Sequence, residues 1–303
     1  MDEKTCKIVK LRENSSVPEV VNTGKFQITS DMKAMYDEEG VICVRNLFSK
    51  EEIDHILKAI TATDEITGKS WGRSDGEGRS VKLALWKHPG NDVTGMVARC
   101  KRIVDTCEAL LGGEVYHYHT KLMMKDAKTG GKHLWHQDYG YWYKNGMLRP
   151  DVLTVFIPLD VCNKTNGGLQ VVPGSHKAGR IEHLTVAEQT AANDERVQAL
   201  CEHFGGKVYT DLQPGDTLFF HSNLLHTSDK NDSDMRRWCF LTAYNRADND
   251  PIYKHHHPNY TPLSKVEDSA ILECQNFTDM SGKEFLDPKD YDQHLRLKKS
   301  GYH

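Results

Sequence analysis

The chain has 303 residues and a formal net charge of −4 at pH 7. That acidic balance leaves no footprint for nucleic acid or another polyanion, and no run approaches the roughly 18 apolar residues of a membrane span. Eight cysteines lie scattered without a Cys-x-x-Cys pair, the pattern of a reduced intracellular protein. Nothing apolar follows Met1-Asp2-Glu3-Lys4 to form a signal peptide, so cytoplasm is the expected compartment.

No Pro/Gly/Ser-rich linker or repeat divides the chain, so one domain is expected over 1–303. Residues 1–29 read as a loose arm. A helical part over 30–113 follows. It opens with a short helix from Ser30 to Glu39, stopped by Gly40. Val41–Val44 is a buried-strand run. Ser49-Lys50-Glu51-Glu52 is a capping box, and Ile53, Ile56, Leu57 and Ile60 continue it as an amphipathic helix. The Gly- and Ser-rich stretch 65–80 reads as a loop, Val81–Trp86 as a strand. Asp92 caps an expected long helix whose apolar face runs from Val93 to Leu111, ended by Gly112-Gly113.

Beyond that the texture becomes β-rich. Val115–Met124, Val152–Leu159, Leu169–Val172, Lys207–Leu212, Thr217–His221 and Trp238–Tyr244 are short strand-like runs separated by turn signals. A core over 114–246 is expected, with a helical insertion near 184–204 and a C-terminal extension over 247–303. This order fits a mostly β protein with flanking helices: a double-stranded β-helix, or jelly roll, of cupin-like type.

Trp135-His136-Gln137-Asp138 places a histidine and a carboxylate two apart at a strand or its end, where both side chains point the same way. Two imidazoles and one carboxylate form the ligand set of non-haem iron(II) oxygenases, which leaves metal positions open for other ligands. The second imidazole must come from a distant strand, and His221 and His226 both follow the Pro214-Gly215-Asp216 turn. Such enzymes commonly use 2-oxoglutarate, whose far carboxylate needs a fixed cation. Arg237 is the candidate, since its planar fork bonds a carboxylate two-fold; Ser228 would add a hydroxyl donor. Arg236 beside it leaves open a plain surface role for Arg237.

These residues resemble the phytanoyl-CoA dioxygenase family of iron(II)/2-oxoglutarate oxygenases. Trp135–Asp138, Asn166-Gly167-Gly168 through Pro173-Gly174-Ser175-His176, and Pro214-Gly215-Asp216 through His226 to Arg237 match its motifs. The likeness runs from about Ser30 to Arg246. It implies a jelly roll in which His136, Asp138 and His226 bind Fe(II) and act in catalysis. Arg237 and Ser228 would hold 2-oxoglutarate, with Lys82 and Phe156 beside it. Dioxygen is the oxidant, with ascorbate as supporting reductant. Tyr139-Gly140-Tyr141-Trp142 and Tyr244-Asn245-Arg246 are similar to the free-proline 4-hydroxylase and ectoine hydroxylase branch. A small, polar, amino-acid-like substrate is therefore expected, with Tyr139, Trp142 and Arg246 touching it, and neither nucleic acid nor membrane as partner.

Other readings stand beside this one. Lys125, Lys128 and Lys132 would suit the phosphates of an acyl-CoA, or form a solvated loop face. A cupin-like barrel would also accept zinc or manganese, or persist as an inactive binding module. His176 reads as a turn residue, and His255-His256-His257 as a surface loop rather than a second metal site.

Overall fold

The computed structural model describes residues 16–289. Its strands are β1 (Glu19–Val21), β2 (Val41–Arg45), β3 (Trp71–Ser74), β4 (Ser80–Trp86), β5 (Val115–Lys125), β6 (His133–His136), β7 (Val152–Pro158), β8 (Leu169–Val171), β9 (His183–Val186), β10 (Gln189–Ala192), β11 (Val208–Tyr209), β12 (Thr217–His221), β13 (His226–Ser228) and β14 (Arg237–Arg246). The helices are α1 (Ser30–Glu39), α2 (Lys50–Thr61), α3 (Asp64–Thr67), α4 (Val93–Arg99), α5 (Lys101–Leu111), α6 (Asp138–Trp142), α7 (Asp194–His203) and α8 (Ala270–Glu273).

A large sheet runs in the order β1-β2-β12-β7-β14-β5-β4-β3, and a small one in the order β11-β8-β13-β6. All pairings are antiparallel except β1 with β2. This is the double-stranded β-helix expected from the order of elements.

Alternation along the strands sorts the core into two layers. Val81, Leu83, Leu85, Met123, Phe156, Leu218, Phe220, Cys239 and Leu241 point between the sheets, where they meet Leu169 and Val171 of β8. The intervening Ala84, Trp86, Leu122, Met124, Val155, Ile157, Phe219 and Phe240 point the other way, onto α2, α4 and α5. A β-bulge interrupts this regularity: Ala243 pairs with His119 but Tyr244 with His117, so Tyr118 is the extra residue of β5.

Several local expectations need correction. The long helix over 93–111 is two helices, because Cys100 is extended (φ −65°, ψ 143°) and forms a bridge with Val266. Apolar periodicity alone does not reveal that break. The stretch 65–80 is not all loop: it holds part of α3, all of β3 and the first residue of β4. The insertion near 184–204 is half sheet, a β9–β10 hairpin before α7. Part of the presumed loose arm is ordered, since β1 pairs with β2; residues 1–15 lie outside the description.

The C-terminal extension is tied into the domain. Lys283 is fully buried, and its ammonium sits 2.6 Å from Asp92 Oδ1. It also donates to Thr94 Oγ1 and to the Pro89 carbonyl. Among the described residues no helix is long and apolar enough to cross a membrane.

Candidate metal centre and active site

β6 ends on His136, the backbone stays extended at Gln137, and Asp138 opens α6. Gln137 fixes this strand-to-helix step from between the two candidate ligands. Its amide donates to the carbonyls of Gly179 and Asn223, both at 2.8 Å, and its side-chain oxygen accepts from Ile181 N–H. Its own backbone N–H donates to His183 Nε2 at 2.8 Å. The His183 ring lies so close to Gly140 that a Cβ there would come within 2.1 Å of it, so only glycine fits.

His226 opens β13 and is paired in register with His136. Their rings lie 4.1 Å apart, and His136 Nε2 is 3.7 Å from Asp138 Oδ1. The donor atoms of His136, Asp138 and His226 all fall within 4.8 Å of one another, and all three residues are buried. His136 Nδ1 bonds the Leu134 carbonyl at 2.8 Å, His226 Nδ1 the Leu224 carbonyl at 2.9 Å. A carbonyl only accepts, so each Nδ1 carries the proton and each Nε2 keeps its lone pair. His136 Nε2 is buried with no hydrogen-bond partner. A lone pair left without a donor beside a carboxylate and a second imidazole fits a divalent metal.

The electrostatics agree with that fit. Burial, reinforced by the neighbouring His226, drives the His136 pKa well below the usual histidine range; burial also lowers His226. Burial thus favours the neutral imidazole in both, the form that binds metal. Burial pushes Asp138 upward, but the Lys121 ammonium and a Thr154 hydrogen bond outweigh it, and the carboxyl is held below the ordinary carboxylate range. Its oxygens accept from Tyr141 at 2.8 Å and Thr154 at 2.6 Å, which fixes the plane of the carboxylate.

The triad lines a cavity between the sheets together with Lys121, Phe156, Phe220, Ser228, Arg237 and Leu241. Arg237 is 2% exposed, and among the described residues no carboxylate pairs with it. Its guanidinium touches only sulfur, Cys239 Sγ at 3.4 Å and Cys162 Sγ at 3.8 Å, and Nε has no partner. A buried cation left in this state fits an anionic ligand. Lys125 is a second basic group: it is fully buried, burial and then the nearby Arg237 drive its pKa well below the usual lysine value, and it donates to Ser228 Oγ at 2.9 Å and to the carbonyls of Ser228 and Asp229. Because the Ser228 oxygen already accepts from an ammonium, its hydroxyl hydrogen is left to donate.

Not every expected residue lies here. Phe156 lines the cavity, but Lys82 does not. On β4 it alternates with the cavity-facing Val81 and Leu83, so it points to the other face, where it pairs with Asp126 at 3.2 Å. Lys121 on β5 is the basic residue on the cavity side. Arg246 sits at the far end of β14, engaged by Asp248 and Asp151 rather than by the cavity. Tyr139 is buried with its hydroxyl donated to the Met147 carbonyl, away from the lining. Trp142 is buried among Tyr118, His119 and Tyr141. His221 lies outside the triad, with Nδ1 accepting from the Asn223 N–H. His176 donates to the Asp37 carbonyl beside Gly40, a turn role. Lys128 and Lys132 are ion-paired with Asp234 and Glu77, whereas Lys125 is no surface residue at all.

Sequence reasoning missed the roles of Lys121, Tyr141 and Thr154, and took Lys125 for a phosphate contact or a solvated loop residue. The signal for the lysines was present. Lys121 and Lys125 lie four apart around the apolar run Leu122-Met123-Met124, an even spacing that puts both on one face.

The phytanoyl-CoA dioxygenase family profile matches residues 36–239. The chain belongs to the phytanoyl-CoA dioxygenase family. It is a non-haem iron, 2-oxoglutarate-dependent dioxygenase, with the His-x-Asp…His triad of that class. It is 34% identical to the L-proline trans-4-hydroxylase of Streptomyces griseoviridis over 211 residues, 64% of this chain and 77% of the relative. It is 27% identical to the ectoine dioxygenase of Bordetella bronchiseptica over 249 residues, 77% of this chain and 80% of the relative. The fold matches the crystal structure of EctD from S. alaskensis with 2-oxoglutarate and 5-hydroxyectoine: TM-score 0.64, 23% identity, over 88% of this chain and 95% of that one.

Proposed function

We propose that this oxygenase hydroxylates an unactivated C–H bond of a small, polar, amino-acid-like substrate, with 2-oxoglutarate leaving as succinate and carbon dioxide. The observation that carries the proposal is a buried triad in the same cavity as a guanidinium without a carboxylate. His136, Asp138 and His226 would hold iron(II), which when bound supplies the activation of dioxygen. Arg237 would receive the far carboxylate of 2-oxoglutarate, with the Ser228 hydroxyl as a further donor and Lys125 fixing that hydroxyl. Phe156 and Lys121 line the same cavity, Lys121 in charge reach of the Asp138 carboxylate. Tyr141 and Thr154 hold the Asp138 carboxylate in one plane. The apolar cavity walls exclude water from the reacting centre.

The likeness to a proline hydroxylase and an ectoine dioxygenase supports a small substrate. An acyl-CoA is the weaker reading, because the lysines offered for its phosphates are either buried or ion-paired. The test is succinate formation from 2-oxoglutarate with iron(II) and ascorbate, across free amino acids, ectoine and acyl-CoAs. Stimulation by a small amino or imino acid is the expected result; stimulation by acyl-CoA alone would overturn it.

A further inference from the structure

Two cysteines hold one side of the Arg237 guanidinium. Nη1 donates to Cys239 Sγ at 3.4 Å and to Cys162 Sγ at 3.8 Å, and both cysteines are wholly buried. The contacts split the guanidinium: Nη1 is tied to sulfur, whereas the buried Nε has no partner. Among the described residues no carboxylate pairs with this cation. A guanidinium does not shed its proton inside a protein, so its buried charge needs a balancing group.

Cys162 is built to be that group. Its backbone is pinned to Leu212, donating to the carbonyl at 2.9 Å and accepting from the N–H at 2.8 Å. Three donors then converge on its sulfur: the Arg237 guanidinium, the Leu169 backbone N–H and the Cys239 thiol. A thiol sulfur carries a proton that itself needs an acceptor; a thiolate carries none and offers a further lone pair. The donor set matches the thiolate. The bond from Cys239 holds the Cys162 pKa below the usual thiol value against the opposing effect of burial, and the Arg237 charge adds to it. Burial and that same bond push Cys239 up, so Cys239 remains the donor. The other charged groups around the pair do not replace it. Lys125 on β5 is basic. Asp160 is engaged by Arg236 and the Trp238 N–H, and Asp229 by Gln170 and Tyr209. Leu169 and Leu212 bring no charge.

We propose that Cys162 is the resident counter-ion of the co-substrate site: as a thiolate it balances Arg237 until 2-oxoglutarate arrives, and it takes up one proton from solvent as the far carboxylate of 2-oxoglutarate assumes that balance. The inference rests on the assignment of Arg237 to 2-oxoglutarate and adds a regulation of that site by pH. Only a proton moves, from water to sulfur, and the charge around the guanidinium is conserved. A carboxylate in this place would stay ionised near neutral pH and compete with the co-substrate, whereas a thiolate can be discharged. Cys162 is thus a positioning residue that acts through Arg237. Free enzyme carries the thiolate and the complex carries the thiol, so rising pH favours the free form and weakens 2-oxoglutarate, by about tenfold per pH unit for one proton.

The probe is 2-oxoglutarate itself, titrated anaerobically into the iron(II)-loaded protein by calorimetry, in buffers that differ in ionisation enthalpy. Between about pH 7 and about pH 8 the wild type should take up close to one proton per 2-oxoglutarate bound and lose about tenfold in affinity. The ultraviolet absorption of a thiolate, which a thiol lacks, should fall in the wild type as 2-oxoglutarate is added, a reading that needs no variant. Cys162→Ser keeps lone pairs for the converging donors but does not ionise. It should abolish the uptake, flatten the pH profile and bind 2-oxoglutarate about tenfold more tightly than the wild type at about pH 8; a merely structural role would weaken binding and leave the profile intact. Cys239→Ser keeps a donor, and Lys125→Met removes the other titratable side chain, so both should retain the uptake. No proton uptake in the wild type, a thiolate absorption that 2-oxoglutarate leaves unchanged, uptake that persists in Cys162→Ser, or uptake lost in Lys125→Met would each overturn the inference. Arg237→Ala separates the two readings. If it leaves 2-oxoglutarate affinity unchanged, the co-substrate assignment falls and this inference with it; if it weakens binding while the wild type takes up no proton, this inference alone falls.

Discussion

The two ends of the β5–β14 ladder are built differently. From Lys121 to Lys125, paired with Leu241 to Arg237, the ladder is regular. Alternation there places Lys121 and Arg237 in the wall of a single cavity, with Lys125 held against Ser228. At the other end the bulge breaks the alternation, and loops and the C-terminal segment supply the remaining walls. The regular end carries chemistry common to the whole class: Lys125 is engaged there by Ser228, while Arg237 Nε is left without a partner. The irregular end leaves ring nitrogens unpartnered. Iron and 2-oxoglutarate are the same for every member, so rigid strands suit them; the substrate differs, and bulges and loops vary without disturbing the ladder.

Breaking the regular end should have the largest effect. Asp138→Ala or His226→Ala should abolish substrate-dependent succinate formation and iron binding, read by metal analysis after gel filtration. A variant that kept both would remove the residue from the triad. Arg237→Ala should raise the 2-oxoglutarate KM about 10- to 100-fold, since a charge-assisted pair is lost, with a smaller change in KM for the substrate. A smaller effect is expected from Tyr141→Phe: loss of one hydrogen bond to a metal-binding carboxylate should weaken iron(II) about tenfold, measured by competition with a chelator. Least of all, Lys82→Ala should leave the 2-oxoglutarate KM unchanged and stability within about 0.5 kcal/mol. A large effect there would mean the wrong face of β4 had been assigned to the cavity.

The same contrast explains what could be read from the chain. His136, Asp138 and His226 were legible because the chemistry demands particular donor atoms, and few residues supply them. Arg237 was legible for the same reason. Lys82 was misplaced because one residue of parity decides which face a strand side chain occupies: Val81, Leu83 and Leu85 make the inner face, and Lys82 shares the other with Ser80, Ala84 and Trp86. The break at Cys100 hid inside an unbroken apolar stripe, since both helices bury the same face. His257, expected in a surface loop, is buried; it gave no signal because its partners, Tyr118 and His119, lie more than a hundred residues earlier and face it only through a bulge.

The Asp92–Lys283 pair has a consequence for how this protein can be shortened. Asp92 belongs to the cap of α4 and Lys283 to the tail, and both are wholly shielded from water. A protein cut after β14 would strip Asp92 of its ammonium partner and leave it only the Thr94 donors, at a cost of about 3–5 kcal/mol. Such a truncation should express poorly or demand replacement of Asp92, so the segment after β14 behaves as a keystone rather than an appendage.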